Sequence, residues 1–177
     1  MSVVRPSAVA VVGIGCRFPG GIDSLKALEV LLEREEDALG QLPFERFDVE
    51  RYFSSEQSTP GTFYAPRCGT VGDIRYFDAR FWGMSAKEAE NLDPQQRMVL
   101  EMPWEAFEDA GIPPSKMAHS DTAVFIGAAS ADMAILHSDD AAVQGPYTMT
   151  GTQLSIISNR ISYCFNLHGP SMTVDTA

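Results

Sequence analysis

Ala8-Val9-Ala10-Val11-Val12-Gly13-Ile14 is apolar at every position and β-branched at four of them. A strand with one wet face alternates apolar and polar residues, whereas a strand covered on both faces does not. The run therefore predicts a strand buried on both sides, as in layered α/β folds. A Gly/Pro-rich loop over residues 17–21 follows it. Asp23 or Ser24 is then placed to cap a helix with Leu25, Leu28, Leu31 and Leu32 on one face and Glu29, Glu33 and Glu36 opposite.

Residues 41–80 mix Pro, Gly and aromatics with no sustained period over Phe44, Phe47, Tyr52, Phe53, Phe63 and Tyr64. They predict an irregular surface excursion that carries short strands at most. Its aromatic content argues for structure, because such residues need something to pack on. Ser85-Ala86-Lys87-Glu88 reads as a capping box. Asp93-Pro94-Gln95-Gln96 reads as a second helix start, with Asp at N-cap, Pro at N1 and Gln at N3. That helix continues through Met98, Met102, Ala106 and Phe107 and stops at Gly111, ahead of Pro113-Pro114. Pro103 within it removes a hydrogen bond and crowds the Val99 carbonyl, which predicts a kink or a break. Residues 122–127 predict a second buried strand and residues 131–136 a short helix or turn. A single helix is expected over residues 152–167, closed by Gly169-Pro170, and a third strand over residues 171–176. Strands alternating with helices imply a mainly parallel sheet with helices on its faces.

The 177 residues hold 24 Asp and Glu against 13 Lys and Arg, a net charge of −11, with 45% hydrophobic and 21% charged residues. This is ordinary globular composition for one domain or part of one, and it excludes disordered and collagen-like chains. An acidic chain without clustered Lys and Arg is not expected to bind nucleic acid. Cys16, Cys68 and Cys164 are odd in number and form no C-x-x-C pair, which disfavours a disulfide framework and a zinc site and points to a reducing cytoplasm. The longest apolar or Gly run, residues 8–16, is well short of the roughly 18 residues of a membrane span. No charged n-region precedes a long apolar core, so neither a secretory signal nor a membrane association is expected.

Few residues suggest chemistry by themselves. Gly13-Ile14-Gly15-Cys16-Arg17-Phe18 begins like a dinucleotide fingerprint, but Phe18 stands where a small residue is needed and Pro19-Gly20-Gly21 replaces the helix start. Cys16 lacks a base or helix terminus to stabilise a thiolate, and is expected as a small apolar residue at a strand end. Cys164 and His168 are four apart, yet His168 is better placed to meet the last helix carbonyls. His119 and His137 are expected to be solvated. Met84, Met98, Met102, Met133, Met149 and Met172 read as core packing, and Glu101, Glu105, Glu108 and Asp109 as a solvated helix face. No catalytic set and no metal site is expected among these residues.

Several segments, taken in order, resemble the N-terminal part of β-ketoacyl synthase domains, most closely those of modular type I polyketide synthases. They are Val11-Val12-Gly13-Ile14-Gly15-Cys16-Arg17-Phe18-Pro19-Gly20-Gly21, Phe77-Asp78-Ala79-Arg80-Phe81-Trp82-Gly83-Met84-Ser85, Leu92-Asp93-Pro94-Gln95-Gln96-Arg97, Trp104-Glu105-Ala106-Phe107-Glu108-Asp109-Ala110-Gly111, Val124-Phe125-Ile126-Gly127, Thr150-Gly151-Thr152, Ser158-Asn159-Arg160-Ile161-Ser162-Tyr163 and Gly169-Pro170-Ser171-Met172-Thr173-Val174-Asp175-Thr176-Ala177. Met102-Pro103 departs from the small or aliphatic helix formers usual in this family.

The resemblance implies an α/β, thiolase-like fold with α-β-α-β-α layers, of which residues 1–177 supply most of the first half only. It implies that the strand Val174, Asp175, Thr176, Ala177 presents a nucleophilic cysteine immediately after Ala177, and that two catalytic histidines lie further on; His119, His137 and His168 do not match them. Ala128, Ala129, Met133, Thr150, Gly151 and Thr152 are implied to line or support the acyl pocket and dimer contact. The implied partners are acyl carrier protein, whose phosphopantetheine carries acyl and malonyl thioesters, and a second copy paired through residues 171–176. No directly bound cofactor is implied. The sequence is thus expected to be part of a decarboxylative condensing enzyme, inactive by itself. Two alternatives remain open: a non-catalytic remnant that acts as a dimerisation module, and a decarboxylating synthase with Gln in place of the cysteine.

Overall fold

The structure, a computed structural model, describes residues 8–139 and 141–176, so Ala177 lies outside the described residues. The chain divides into two compact units, one of residues 16–74 and one of residues 8–15 with 75–176.

In the unit of residues 16–74, Gly20 and Gly21 take φ of +81° and +75° and close an antiparallel bridge between Phe18 and Ile22. Of the two candidate caps for helix α1 (Leu25–Glu33), Ser24 serves, its Oγ accepting from the Ala27 N–H. Strand β1 (Gly40–Gln41) pairs antiparallel with β2 (Arg67–Cys68), on either side of the short helix α2 (Val49–Tyr52) in sequence. Arg67 ties the hairpin down through Asp37 Oδ2 at 2.7 Å and the Leu39 carbonyl at 2.6 Å. Phe47 meets the rings of Tyr52 and Phe63, and Phe63 that of Phe53, so these aromatics of the excursion pack on one another although Phe47, Tyr52 and Phe53 remain exposed. The expected stretch 41–80 differs in extent from this unit, which already begins at residue 16 and leaves residues 75–80 to the other.

The second unit contains α3 (Ala86–Glu90), α4 (Pro94–Asp109), β3 (Val124–Gly127), α5 (Asp132–Ser138), α6 (Thr148–Thr152), α7 (Leu154–Phe165) and β4 (Ser171–Val174). β3 and β4 pair in parallel, Val124 opposite Ser171 and Gly127 opposite Val174. α7 packs across both strands and against α4. Leu100, Val124, Ile161, Phe165 and Leu167 form the core, with Trp82, Trp104 and Phe107 around Phe165. Alternate strand residues face away from α7: Phe125 is 61% exposed and Met172 48%, so Met172, like Met149, does not fill the core expected of it.

The caps fall where the sequence places them. Ser85 Oγ accepts from Glu88 N–H, and Asp93 Oδ1 from Gln95 N–H ahead of Pro94. At the far end Gly111, at φ +65°, closes α4: its N–H bonds the Glu108 carbonyl and the Ile112 N–H the Phe107 carbonyl, the paired pattern of a Schellman motif.

Four expectations change. Residues 8–15 form no strand ladder, and Val9 and Val11 are 92% and 77% exposed. A strand exists only through its neighbours' hydrogen bonds, and β3 and β4 pair with each other without it. Second, of the kink or break expected at Pro103 the break does not occur: α4 is continuous through it, held on both sides of the proline by Leu100, Trp104 and Phe107 in the core. Third, the helix expected from Thr152 starts earlier and is split: Gln153, at φ −74° and ψ 130°, separates α6 from α7. Fourth, α7 ends at Phe165, two residues before Leu167, with Asn166 at φ +53° as its left-handed cap. Asparagine tolerates that conformation better than most residues, which makes the later glycine unnecessary for stopping the helix.

The glycines of the first motif have a packing role. A Cβ on Gly13 would lie 2.1 Å from the Ala106 carbonyl oxygen, and one on Gly15 2.4 Å from that of Met102. Ile14 N–H bonds Asp109 Oδ2 at 2.9 Å, so the segment is laid along α4 by its backbone. Gly13→Ala is therefore expected to force the segment off the helix and to lower stability by about 1–3 kcal/mol, read as an earlier urea midpoint by tryptophan fluorescence.

Candidate functional site

A buried polar assembly lies where α3, α4, α6 and α7 meet. Arg160 of α7 donates from Nε to Gln96 Oε1 and from Nη1 to Glu88 Oε1, both at 2.8 Å, and from Nη2 to the Thr150 carbonyl at 3.3 Å. Gln96 Nε2 donates to the carbonyls of Thr150 at 3.2 Å and Gly151 at 3.0 Å, and the Asp93 N–H adds a bond to Gly151 at 2.9 Å. In an uninterrupted helix those carbonyls would accept from backbone N–H groups four residues on. Here donors from the start of α4 and from Arg160 engage them instead, and the helix is broken at Gln153. A Cβ on Gly151 would stand 2.0 Å from the Asn91 carbonyl oxygen, so only glycine allows the approach. The Arg160 side chain is 10% exposed, and a guanidinium that buried must have its donors matched.

Of the sequence-derived site residues, Thr150 and Gly151 join this assembly through their carbonyls. Ala128 donates its N–H to the Val174 carbonyl at 3.2 Å, which carries the β3–β4 pairing one residue beyond β3. Gln95 Nε2 bonds the Ser130 carbonyl at 2.9 Å, so the N-terminus of α4 holds the segment at Ala128 and Ala129 through one side chain and the turn at Thr150 and Gly151 through the next. Met133 is half-buried in the first turn of α5, which packs on α6. Thr150 is exposed, but Gly151 and Thr152 are buried, and Thr152 Oγ1 donates to the Thr148 carbonyl. Thr152 therefore supports the turn from behind. Val174 ends β4, and Asp175 and Thr176 continue from it exposed.

Sequence reasoning missed Arg160, Gln96 and Glu88 as a unit. Gln96 and Glu88 were legible only as N3 capping residues, and nothing in their spacing signals that both turn to one arginine 64 and 72 residues away. It also missed Ser158 and Thr173, whose hydroxyls meet at 3.0 Å.

His119 is exposed, as expected of a solvated ring, but the other two histidines differ from expectation. His168 does not reach the last carbonyls of α7; its ring stands edge-on to His119, with Asn166 within 3.3 Å of both rings. His137 is half-buried rather than solvated, and its Nδ1 is buried. Cys16 is buried. Cys164 lies between two clefts of about 690 and 510 Å³ that share Trp82 and Tyr163. Burial pushes its thiol above the usual cysteine range, against an opposing pull from Arg160. Among the described residues no group of His, Cys, Asp and Glu is arranged to hold a metal ion, and no helix is long and apolar enough to cross a membrane.

Two outcomes are expected. Arg160→Met strands the Gln96 and Glu88 acceptors and costs about 3 kcal/mol, whereas Glu88→Gln keeps an acceptor and costs about 1 kcal/mol; equilibrium unfolding measures both. At pH 7 Cys164 carries less thiolate than free cysteine, so its alkylation by iodoacetamide, followed by peptide mass mapping, is slower than that of cysteine in solution.

Residues 7–177 match the family described as β-ketoacyl synthase, N-terminal domain. The chain is 41% identical over 173 residues to a mycocerosic acid synthase-like polyketide synthase of Mycobacterium tuberculosis, an alignment covering 98% of this chain and 8% of that protein. It is 44% identical over 171 residues to polyketide synthase GfsB of Streptomyces halstedii, covering 96% of this chain and 3% of the relative. Among solved structures, the oxazolomycin ketosynthase domain OzmH KS7 of Streptomyces albus JA3453 superposes with a TM-score of 0.83 at 31% identity, over 94% of this chain and 29% of that one. The ketosynthase from module 6 of the bacillaene synthase of Bacillus subtilis 168 gives 0.75 at 28% identity, over 94% and 26%. The chain thus spans less than a tenth of these synthases' length and under a third of the ketosynthase chains. Matched along nearly its whole length, with a thiolase-like fold, it belongs to the β-ketoacyl synthase family as part of the N-terminal portion of a ketosynthase domain.

Proposed function

We propose that this chain is the scaffold half of a condensing site: it delivers a nucleophilic cysteine directly after Ala177 and supports the pocket for the acyl chain that cysteine accepts. The observation that carries the reading is the bond from Ala128 N–H to the Val174 carbonyl. That bond joins the segment proposed for the acyl pocket to the end of the strand proposed for the nucleophile, which supports the reading. The α4 N-terminus, through Gln95 and Gln96, ties that segment to the Thr150 turn.

In this reading the thiolate attacks a thioester on the phosphopantetheine arm of acyl carrier protein. The carrier's C–S bond breaks, a C–S bond to the cysteine forms, and the carrier thiol takes a proton. A malonyl-type thioester then loses CO₂, and its carbanion displaces the cysteine sulfur to give a β-ketoacyl thioester. A helix N-terminus lowers a thiol's pKa, and oriented N–H groups stabilise the oxyanions. The histidines that assist decarboxylation belong to later parts of the domain. The outward-facing Met172 of β4, beside Phe125 of β3, suits the strand to a covered setting, which supports pairing with a second copy through residues 171–176. The setting proposed is cytoplasmic.

The test uses a polypeptide that continues this sequence through a whole ketosynthase domain, incubated with an acyl thioester and malonyl carrier protein. Intact-protein mass spectrometry is expected to show an acyl adduct on the residue after Ala177 and a β-ketoacyl product, with neither from the 177-residue chain alone. Condensation by the short chain, or a longer polypeptide that decarboxylates malonyl carrier without acylation, would overturn the assignment, the second outcome being that of a Gln-bearing synthase.

A further inference from the structure

We infer that two hydroxyl pairs between α7 and β4 fix the register in which the strand hands on the chain, and so act as positioning residues for acyl transfer; this rests on the function proposed above. Ser158 is fully buried. Its Oγ accepts from the Thr173 hydroxyl at 3.0 Å, its N–H points to Thr173 Oγ1 at 3.3 Å, and its own hydroxyl faces the Ser155 carbonyl at 3.5 Å. One turn along α7, the Ser162 hydroxyl bonds that of Ser171 at 2.9 Å.

The spacings match. Residues four apart on a helix rise about 6 Å, and residues two apart on a strand about 6.6 Å. Both pairs therefore close together in one alignment of strand and helix. A slip of β4 by one residue would turn Ser171 and Thr173 away from α7 and bring Met172 and Val174 beneath it; a slip by two would leave one hydroxyl of α7 opposite the wrong partner. Paired hydroxyls add little net stability over apolar groups of the same shape, so what they contribute is alignment. Alignment matters here because β4 leads, within a few residues, to the position proposed for the nucleophile. The strand is held along its edge as well, where Val174 meets Ala128.

Thr173→Val removes the hydroxyl and keeps the shape. In the longer polypeptide, its single-turnover acylation by a hexanoyl thioester is expected to be slower by about tenfold to a hundredfold. Hydrogen exchange of the Ser171–Val174 amides should quicken by more than the modest fall in thermal midpoint from the stranded Ser158 hydroxyl accounts for. Thr173→Ser should restore the rate, and Ser158→Ala should match the loss without adding to it in the double variant. Acylation by Thr173→Val within about twofold of the parent, no rescue by Thr173→Ser, or losses that merely follow the thermal midpoint would overturn the inference. If the parent polypeptide is not acylated, the proposed function fails first; unchanged exchange over the Ser171–Val174 amides in Thr173→Val then overturns the register lock separately, and faster exchange there upholds it.

Discussion

The structure turns on a buried guanidinium. Arg160 stands on the face of α7 away from the sheet, and its three bonds reach a side chain of α3, a side chain of α4 and a carbonyl of α6. A charge that buried must be matched at its donors, so the three helices are constrained to one arrangement. Gly151 marks how close that arrangement is, since any side chain there would collide with the Asn91 carbonyl.

From this constraint the rest of the unit follows. Fixing α4 beside α7 brings Leu100, Trp104 and Phe107 around Ile161 and Phe165, and the helix continues through Pro103 because that packing outweighs one missing hydrogen bond. The other face of α7 meets β3 and β4 through Val124, Ile161 and two hydroxyl pairs. One helix thus links the Thr150 turn with β4, the two elements proposed to serve the acyl pocket and the nucleophile.

The glycine-rich first motif shows how a local pattern misleads about its physical purpose. Gly13 and Gly15 are spaced as in a phosphate-binding turn, yet both are there to let one backbone lie on another. A motif reports that close approach is needed; what approaches is a tertiary matter.

Much of the local structure was legible in the sequence because its causes are local. Ser24, Ser85 and Asp93 cap helices by bonding backbone within three residues, Gly111 ends one by its own conformation, and the apolar runs at Val124 and Ser171 pair as a parallel sheet. The order of its motifs also disclosed the family. What the sequence left undecided depends on residues far apart. Whether residues 8–15 form a strand depends on neighbouring strands, and the helix after Thr148 is broken beside the carbonyls that Gln96 and Asp93 engage. Gln96 and Glu88 read as ordinary capping residues until Arg160 is brought beside them. Local hydrogen bonds are written in adjacent letters; a buried charge and its partners are set by how the chain closes, and only the tertiary structure decides that.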